Sequence, residues 1–265
     1  MTTLPTLFLS HGAPDVAIAP TPANAFLRTL AESIPKPEAI VVASAHFEAA
    51  GDVKVTSDAS PETIHDFGGF DRRLHEMHYR APGHPALAAE IVGHLEAAGL
   101  RASTAENRGF DHGAWVPLVL AYPHADIPVV EISIDPAKGP AHHLAVGSAL
   151  SALRTRGVLV IGSGSFTHNL PHAFQNVRAG HREAETPDWV RSFADWMSDR
   201  ITAGDTDALL NYRDEAPFAV ENHPTDEHLL PLYVAIGAAG ENTTARRLHA
   251  SQDFGVLSMA AFAFD

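Results

Sequence analysis

Short apolar runs of strand length alternate along this chain with longer segments of helical pattern. The runs that best fit buried strands are residues 6–10, 39–45, 127–134 and 158–163, and the clearest helical segment is residues 85–98. A chain in which strands and helices alternate is expected to form a central sheet with helices on both faces. We therefore predict an α/β fold with a mostly parallel or mixed sheet. No internal repeat or long linker divides the sequence, so we predict a single domain over residues 1–265.

Histidine is unusually frequent, with 17 residues in a chain that has no cysteine. The absence of cysteine excludes disulfides, thiolate nucleophiles and Cys-ligated zinc or iron–sulfur sites. Any metal chemistry must therefore use histidines and carboxylates. His11, His46 and His168 lie at or just after the ends of predicted strands. Because open α/β sheets bind ligands at the carboxyl ends of their strands, one pocket could collect all three.

The charge of the chain limits its partners. A net charge of −14 argues against a nucleic-acid partner or an anionic membrane, since both require a basic surface. The N-terminal segment lacks a basic region followed by a long apolar run, and no segment has the length of a membrane span. We expect a cytoplasmic protein, a monomer or small homo-oligomer, whose partner is a small organic molecule.

The segment ENHPTDEHLLPL, residues 221–232, places two more histidines beside an apolar helical run. Pro224 followed by three polar residues is typical of a helix N-terminus. This predicts His223 in the preceding loop and His228 in the first turns of the helix. Five residues turn a helix by about 500°, so the two rings cannot share one face. If both serve one site, the loop supplies one and the helix the other.

A mononuclear metal site without cysteine normally has two or three histidines, in some cases with a carboxylate. His11 and His46 are the first candidate ligands, because each closes a predicted buried strand, and His228 is the third. Glu48 and Glu221 are alternative carboxylate ligands. The alternative for each histidine taken alone is a solvated side chain, or one that only bonds the backbone.

Two further histidines are candidates for chemistry beside the metal. His168 follows the tight turn GSGSFT and is interpreted as a general acid–base, the alternative being a turn residue that bonds the backbone. His112 precedes a predicted helix beside Asp111 and is interpreted as a substrate-binding or supporting imidazole. The turn matches neither a phosphate-binding P-loop nor a nucleophile elbow.

Five motifs make the chain similar to the class III extradiol ring-cleaving dioxygenases. They are LSHGAP at 9–14, SAHFE at 44–48, RGFDHGAWVPL at 108–118, GSGSFTHNL at 162–170 and NHPTDEHLLPL at 222–232. The chain most resembles the DODA-type branch, the DOPA 4,5-dioxygenases related to the LigB subunit. The resemblance extends over nearly the whole chain, and DHGAWVPL and HPTDEH are specific to this branch. It implies one α/β domain that holds one non-haem metal ion.

The resemblance also implies roles for single residues. His11 and His46 match the two metal histidines of the family. His228 falls where related dioxygenases have a glutamate ligand, which implies three histidine ligands in this branch. His223 is the competing third ligand, or otherwise a substrate-binding residue. His168 matches the acid–base histidine, which could also be a fourth ligand, and His112 matches a histidine that contacts substrate or O₂.

The implied reaction opens a catechol ring, such as that of DOPA, with O₂ beside the two hydroxyls and gives a muconic semialdehyde. The implied ion is Fe²⁺ for activity, and Zn²⁺, found in relatives, is a possible bound ion. Tyr79, in the irregular segment 58–84, is a candidate substrate contact, as are the nearby Arg72, Arg73 and Arg80. Two alternatives remain: a zinc hydrolase that uses the same histidines, and a non-catalytic relative, although no ligand is missing.

Overall fold

A computed structural model describes residues 3–241 and 243–265, and an eight-stranded sheet lies at its centre. Ten strands are present in these ranges: β1 (Thr6–Ser10), β2 (Ala39–Glu48), β3 (Val53–Thr56), β4 (Ala102–Ala105), β5 (Val129–Ile134), β6 (Val158–Gly164), β7 (Ala245–His249), β8 (Gln252–Asp253), β9 (Leu257–Ser258) and β10 (Ala261–Phe264). The strand order in the large sheet is β4-β3-β5-β2-β6-β1-β10-β7, and β8 and β9 form a separate hairpin.

The sheet is mixed. Its centre, β5-β2-β6-β1, is parallel throughout. The pair β3 and β4 is parallel as well, but β3 runs antiparallel to β5. On the other side, β10 runs antiparallel to both β1 and β7. The predicted α/β fold with a mostly parallel or mixed sheet is therefore confirmed.

Helices cover both faces of the sheet. They are α1 (Pro22–Thr29), α2 (Arg72–His75), α3 (Pro85–Ala97), α4 (His112–Ala121), α5 (Gly139–Leu150), α6 (Leu170–Ala179), α7 (Asp188–Ala203), α8 (Thr206–Leu210), α9 (Tyr212–Glu215), α10 (Ala219–Asn222) and α11 (Leu230–Ala239). Short 3₁₀ turns occupy Pro14–Ala17, Leu30–Ser33, Pro136–Lys138 and Ser151–Arg156. No helix in the described ranges is both long and apolar enough to cross a membrane.

The side chains of β1 point alternately to the two faces of the sheet and pack in two different hydrophobic cores. Leu7 and Leu9 pack with residues of α1 and α4, whereas Phe8 packs on the other face with residues of α7 and α11. All three side chains are buried, as expected for a central parallel strand that is covered on both faces. The long apolar runs of the central strands follow from this double burial.

The helix predicted to begin at Pro224 begins instead at Leu230, so that prediction was wrong. Pro231 occupies the first turn of α11, the position at which proline costs no backbone hydrogen bond. The residues before it form turns in which the N–H groups of Leu229 and Leu230 donate to the carbonyl of Asp226. His228 therefore lies in a loop before the helix and not in its first turns.

Other boundaries shifted as well. His46 lies within β2, which continues to Glu48, and His112 is the first residue of α4, not part of a preceding loop. Helix α6 and strands β4 and β7 were not predicted. Helix α6 begins after the capping side chain of Asn169, which accepts from the N–H of His172.

Candidate metal centre

Three histidine nitrogens meet at the carboxyl edge of the parallel strands. Nε2 of His46 lies 3.1 Å from Nε2 of His11 and 3.2 Å from Nε2 of His228. His11 directly follows β1 and His46 lies near the end of β2, and both strands pair in parallel with β6 between them. Because parallel neighbours end at one edge of the sheet, the two imidazoles converge there. His228 reaches the same point from the loop before α11.

The spacing of the three nitrogens fits a single bound ion. Two nitrogens that ligate one ion at about 2.1 Å and near right angles are about 3.0 Å apart. Burial, followed by the charges of neighbouring histidines, lowers the pKa of His11 and of His228. Burial also lowers the pKa of His46 to about 4. All three rings are therefore neutral at pH 7, and the neutral imidazole is the form that binds metal.

Each of the three rings turns its other nitrogen towards an oxygen atom. Nδ1 of His11 is 3.0 Å from Oγ of Ser163, and Nδ1 of His228 is 2.9 Å from a carboxylate oxygen of Glu227. Nδ1 of His46 is 3.6 Å from Asp66, a longer contact. Such outer partners fix the tautomer and orientation of metal-binding histidines. The donor set therefore fits a divalent metal ion with nitrogen ligands.

Two glycines of β6 allow the chain around His228 to lie on the sheet. A Cβ atom at Gly164 would be 2.1 Å from the carbonyl oxygen of His228, and one at Gly162 would be 2.0 Å from that of Pro231. The N–H of Ser165 donates to the same carbonyl of His228 at 2.8 Å. The glycines of the GSGS turn thus serve close backbone packing, which sets the position of His228.

His168 lies directly against the metal-binding group. Its ring stacks on that of His228, with centroids 3.4 Å apart and planes 17° apart, and its Nδ1 is 3.7 Å from Glu227. Its backbone N–H donates to the carbonyl of Asn222 at 2.8 Å, which fixes the turn. Burial lowers the pKa of His168 to about 3, so its ring is neutral at pH 7.

His112 approaches from α4, where the carboxylate of Asp111 caps the helix. Its ring centroid is 3.8 Å from that of His46. Nδ1 of His112 lies 3.0 Å from Oδ1 of Asp66, close enough for an ion pair but not aligned as a hydrogen bond, and the backbone N–H donates to the same oxygen. Burial raises the pKa of Asp66, but the contacts with His112 outweigh it and lower that pKa to about 2.

A buried polar network supports His46 from behind. The side chain of Arg108 donates to the carbonyl of His46 at 3.2 Å and to Asp111 at 2.7 Å, and the hydroxyl of Ser44 donates to Asp111 at 2.6 Å. Glu131 of β5 is fully buried nearby, and burial followed by the charge of Asp111 raises its pKa well above the usual value. This environment therefore favours the uncharged form of Glu131.

A cavity of about 830 Å³ opens onto these histidines. Its walls include the candidate ligands together with His112 and His168, residues 66–71 of the long loop, the 3₁₀ turn at Pro14–Ala17 and one face of α6. Five of the predicted site residues thus share one cavity: His11, His46, His112, His168 and His228.

Other predicted site residues lie apart from this cavity. His223 is fully buried, its Nε2 donates to the carbonyl of Phe166 at 3.0 Å, and burial lowers its pKa to about 4. Tyr79 is a core residue whose hydroxyl donates to the carbonyl of Tyr122. Neither lines the cavity within the described ranges, so the structure does not bring them beside the candidate ligands, and their substrate contacts stay predictions. The side chains of Glu48 and Glu221 are exposed, and neither belongs to a described group that could hold a metal.

Three residues of the site were not identified from the sequence. Glu227 lies beside His228 in the HPTDEH motif, and its place next to a candidate ligand could have identified it as a partner of that histidine. Ser163 lies in the GSGS turn, and no local pattern in that turn indicates that the serine is the partner of His11. Nothing in the sequence singles out Asp66, because only folding of the long loop brings it to His112 and His46.

Comparisons with known proteins agree with this geometry. A family model described as the catalytic LigB subunit of aromatic ring-opening dioxygenase matches residues 5–263. A protein of Beta vulgaris named 4,5-DOPA dioxygenase extradiol is 41% identical over 263 residues, which cover 98% of this chain and 96% of the relative. A protein of Escherichia coli K12 with the same name is 39% identical over 240 residues, covering 89% of this chain and 86% of the relative.

A solved structure shares the whole architecture. The crystal structure of an uncharacterized protein from Escherichia coli K12 aligns with a TM-score of 0.79 and 31% sequence identity. The alignment covers 99% of this chain and 100% of the other. The likeness therefore extends over the complete sheet and both helical layers, including every element that contributes to the histidine cluster.

Proposed function

This chain belongs to the LigB family of aromatic ring-opening dioxygenases, and we propose that it is an extradiol dioxygenase that opens catechol rings with O₂. The observation that carries the proposal is that Nε2 of His46 lies within 3.2 Å of Nε2 of both His11 and His228, at a cavity that also holds His112 and His168. The relatives named 4,5-DOPA dioxygenase favour a catechol with a side chain, such as DOPA, as the substrate.

The overall reaction is balanced without any further reactant. One catechol and one O₂ give one 2-hydroxymuconic semialdehyde, which keeps one of the original hydroxyl oxygens as its 2-hydroxyl group. The ring carbon–carbon bond next to the two hydroxyls breaks, and so does the bond between the oxygen atoms. One oxygen atom enters the new aldehyde and the other the new carboxylate. The protons of the two catechol hydroxyls must be moved during the reaction, which requires groups that accept and return them.

We assign the metal to His11, His46 and His228, and we propose Fe²⁺ as the ion that supports activity. Fe²⁺ would supply electron transfer between the catechol and O₂ and would hold the two together. Zn²⁺ suits the same nitrogen donors but has no redox chemistry, so zinc-bound protein should be inactive towards catechols. The remaining steps belong to side chains of the cavity.

His168 is proposed to accept a proton from a catechol hydroxyl and return it later. Its low pKa, about 3, keeps the imidazole neutral and able to accept at pH 7. The contact of Nδ1 with Glu227 at 3.7 Å orients the ring and favours its protonated form once a proton arrives. Stacking on His228 keeps the ring next to the reacting atoms.

His112 is proposed to bind the substrate or O₂ through Nε2. Its Nδ1 faces Asp66, so the opposite ring nitrogen remains available. The N-cap carboxylate of Asp111 fixes the first turn of α4 and thereby the position of the ring.

To test the proposal, metal-free protein is first loaded with Fe²⁺ or Zn²⁺ under anaerobic conditions. O₂ uptake is then measured in aerated buffer. DOPA, caffeate, protocatechuate and catechol are supplied in turn, and absorbance is followed for a yellow ring-opened product. We expect one O₂ consumed per catechol with Fe²⁺, none with Zn²⁺, and loss of activity in His46→Ala and His168→Ala. No uptake with any catechol under Fe²⁺ would contradict the proposal and favour hydrolytic chemistry.

A further inference from the structure

One complete face of α6 lines the cavity. It consists of Leu170, Ala173, Phe174, Val177 and Arg178. These positions recur at the intervals of one helix face, so they point in nearly the same direction. Leu170, Phe174 and Val177 are 39%, 47% and 43% exposed, although large apolar side chains at such intervals are normally covered by protein. In the described structure Ala173 also packs in a small apolar cluster with Val190 and Phe254, and the large side chains of this face meet the cavity.

The cavity is much larger than a catechol. A benzene ring fills a cavity of about 150 Å³, and the cavity here measures about 830 Å³. A ring held at the histidines therefore leaves most of the volume for other parts of a substrate. The walls of the cavity include the apolar face of α6 together with Phe67 and Phe70. This apolar lining favours a hydrocarbon side chain on the substrate.

One charge on the cavity wall has no opposite partner. The charged side chains of the wall are Asp15, Asp66, Asp71, Arg73 and Arg178. Each of the first four has a polar contact within the protein: Asp15 pairs with Arg182 at 2.8 Å, Asp71 pairs with Arg73 at 2.9 Å, and Asp66 lies 3.0 Å from Nδ1 of His112. Arg178 makes no hydrogen bond or ion pair with any side chain or backbone group that the structure describes, and its side chain is exposed.

Arg178 also lies at the far end of the α6 face. Leu170 begins the helix two residues after His168, so it marks the inner end of the cavity. Eight residues of helix separate it from Arg178, which is about 12 Å along the axis. The wall thus runs from the histidines, over apolar side chains, to a single unpaired guanidinium.

We propose that Arg178 is a specificity-determining residue that binds a carboxylate at the end of the catechol side chain. The apolar face of α6 packs against the carbon atoms between that carboxylate and the ring. A guanidinium is the side chain best suited to pair with a carboxylate, and a local cation is needed to attract an anionic substrate to a protein of net charge −14. The inference rests on the proposed function, because it assigns the substrate class of the same site.

The test compares three catechols whose 4-substituents are similar in length and differ in charge: 3-(3,4-dihydroxyphenyl)propanoate, 4-propylcatechol and dopamine. For the Fe²⁺-loaded wild-type protein we expect kcat/KM in that order, highest for the acid. Arg178→Gln should reduce the ratio of kcat/KM between the acid and 4-propylcatechol about fivefold, mainly through KM. Arg178→Glu should reverse the preference between the acid and dopamine.

Arg247→Gln is the matched control, because it removes the same charge from an exposed side chain of β7 that does not line the cavity. It should leave the ratio of kcat/KM unchanged. An equal ratio in wild type and Arg178→Gln would overturn the inference, and so would an equal change in Arg247→Gln. Arg178→Lys should keep part of the preference, since it retains the charge without the planar guanidinium.

A binding measurement separates this inference from the proposed function. Calorimetric titration of the metal-free protein with 3-phenylpropanoate and with 3-phenylpropanamide requires no catalysis. We expect tighter binding of the acid by wild type, and equal binding of both compounds by Arg178→Gln. If wild type opens no catechol but shows this difference, the proposed function fails and the anion site stands. Equal binding of acid and amide by wild type would overturn the anion site.

Discussion

Nδ1 of His11 lies 3.0 Å from Oγ of Ser163, whose hydroxyl donates to the carbonyl oxygen of Gly113 at 2.5 Å. The single hydroxyl hydrogen is used in the bond to Gly113, so Oγ can only accept from His11. His11 must then carry its proton on Nδ1, which leaves the Nε2 lone pair free towards His46 and His228. A buried serine thus determines which nitrogen of His11 can bind a metal.

Ser163→Ala should weaken metal binding by about 10- to 100-fold, because His11 loses the acceptor that fixes its tautomer and ring orientation. Competition with a chelator of known affinity, using Zn²⁺ as the ion, measures the change. Ser148→Ala, on the exposed surface of α5, is the control and should bind the ion as wild type does. Wild-type affinity in Ser163→Ala would show that the hydroxyl has no such role.

The third ligand can be identified by comparing His228→Gln with His223→Gln. We expect His228→Gln to lose stoichiometric metal, because its Nε2 is one of the three that converge. His223→Gln should keep one equivalent, since the amide can replace the hydrogen bond to the carbonyl of Phe166. Metal content of folded protein, determined by elemental analysis after gel filtration, gives the result. Loss of metal in His223→Gln alone would reverse the assignment.

Gly164→Ala should impair both stability and metal binding. The added Cβ would lie 2.1 Å from the carbonyl oxygen of His228, so the loop that carries this ligand must move. We expect a loss of about 1–3 kcal/mol in the free energy of unfolding, measured with urea, together with weaker metal binding.

Gly93→Ala, in α3, is the matched substitution, because an added Cβ there has no neighbour within 4 Å among the described atoms. It should stabilise the protein by about 0.5–1 kcal/mol, the usual gain for alanine over glycine inside a helix. If Gly164→Ala behaved like Gly93→Ala, the close packing of β6 on the His228 loop would not constrain the site.

Protonation of His143 should destabilise the fold at low pH. The ring is buried, its Nδ1 donates to the carbonyl of Gly139 and its Nε2 accepts from the N–H of Asp135. Burial lowers the pKa of His143 from 6.5 to about 4. The unfolded chain therefore binds the proton more readily between these values. The stabilisation is fully present above pH 6.5 and is lost as the pH falls to 4, by about 3 kcal/mol.

Urea unfolding of wild type and His143→Gln at pH 7, 6, 5 and 4 tests this. The advantage of wild type in the free energy of unfolding should shrink as the pH falls, because the glutamine does not titrate. His124→Gln, at an exposed position, controls for removal of a histidine and should show no such trend. A difference between wild type and His143→Gln that did not change with pH would contradict the prediction.

The strands of the central sheet were predictable because double burial demands long apolar runs, and the histidines at their ends followed from the parallel arrangement. The start of α11 was not predictable from the sequence, because Pro224 and Pro231 both satisfy the rule for a first-turn proline. Only the packing of this segment on β6 decides between them. Helix α6 was not predicted, because most of its apolar face lines a cavity, whereas the apolar face of a predicted helix is expected to pack on a core. Asp66 depends on how a long loop folds, and no local pattern encodes that.

The three candidate ligands lie just after the first strand, within the second strand and in the loop before the last helix. An ion held by them would join segments that lie near opposite ends of the chain, and it could be held only after β6 has been inserted between β1 and β2. Unfolded or partly synthesised chains would therefore have little affinity for the ion, and the ion would stabilise the finished sheet by mass action. Acquisition of metal would then be the last event of folding, and loss of metal the first step towards separation of the chain's two ends.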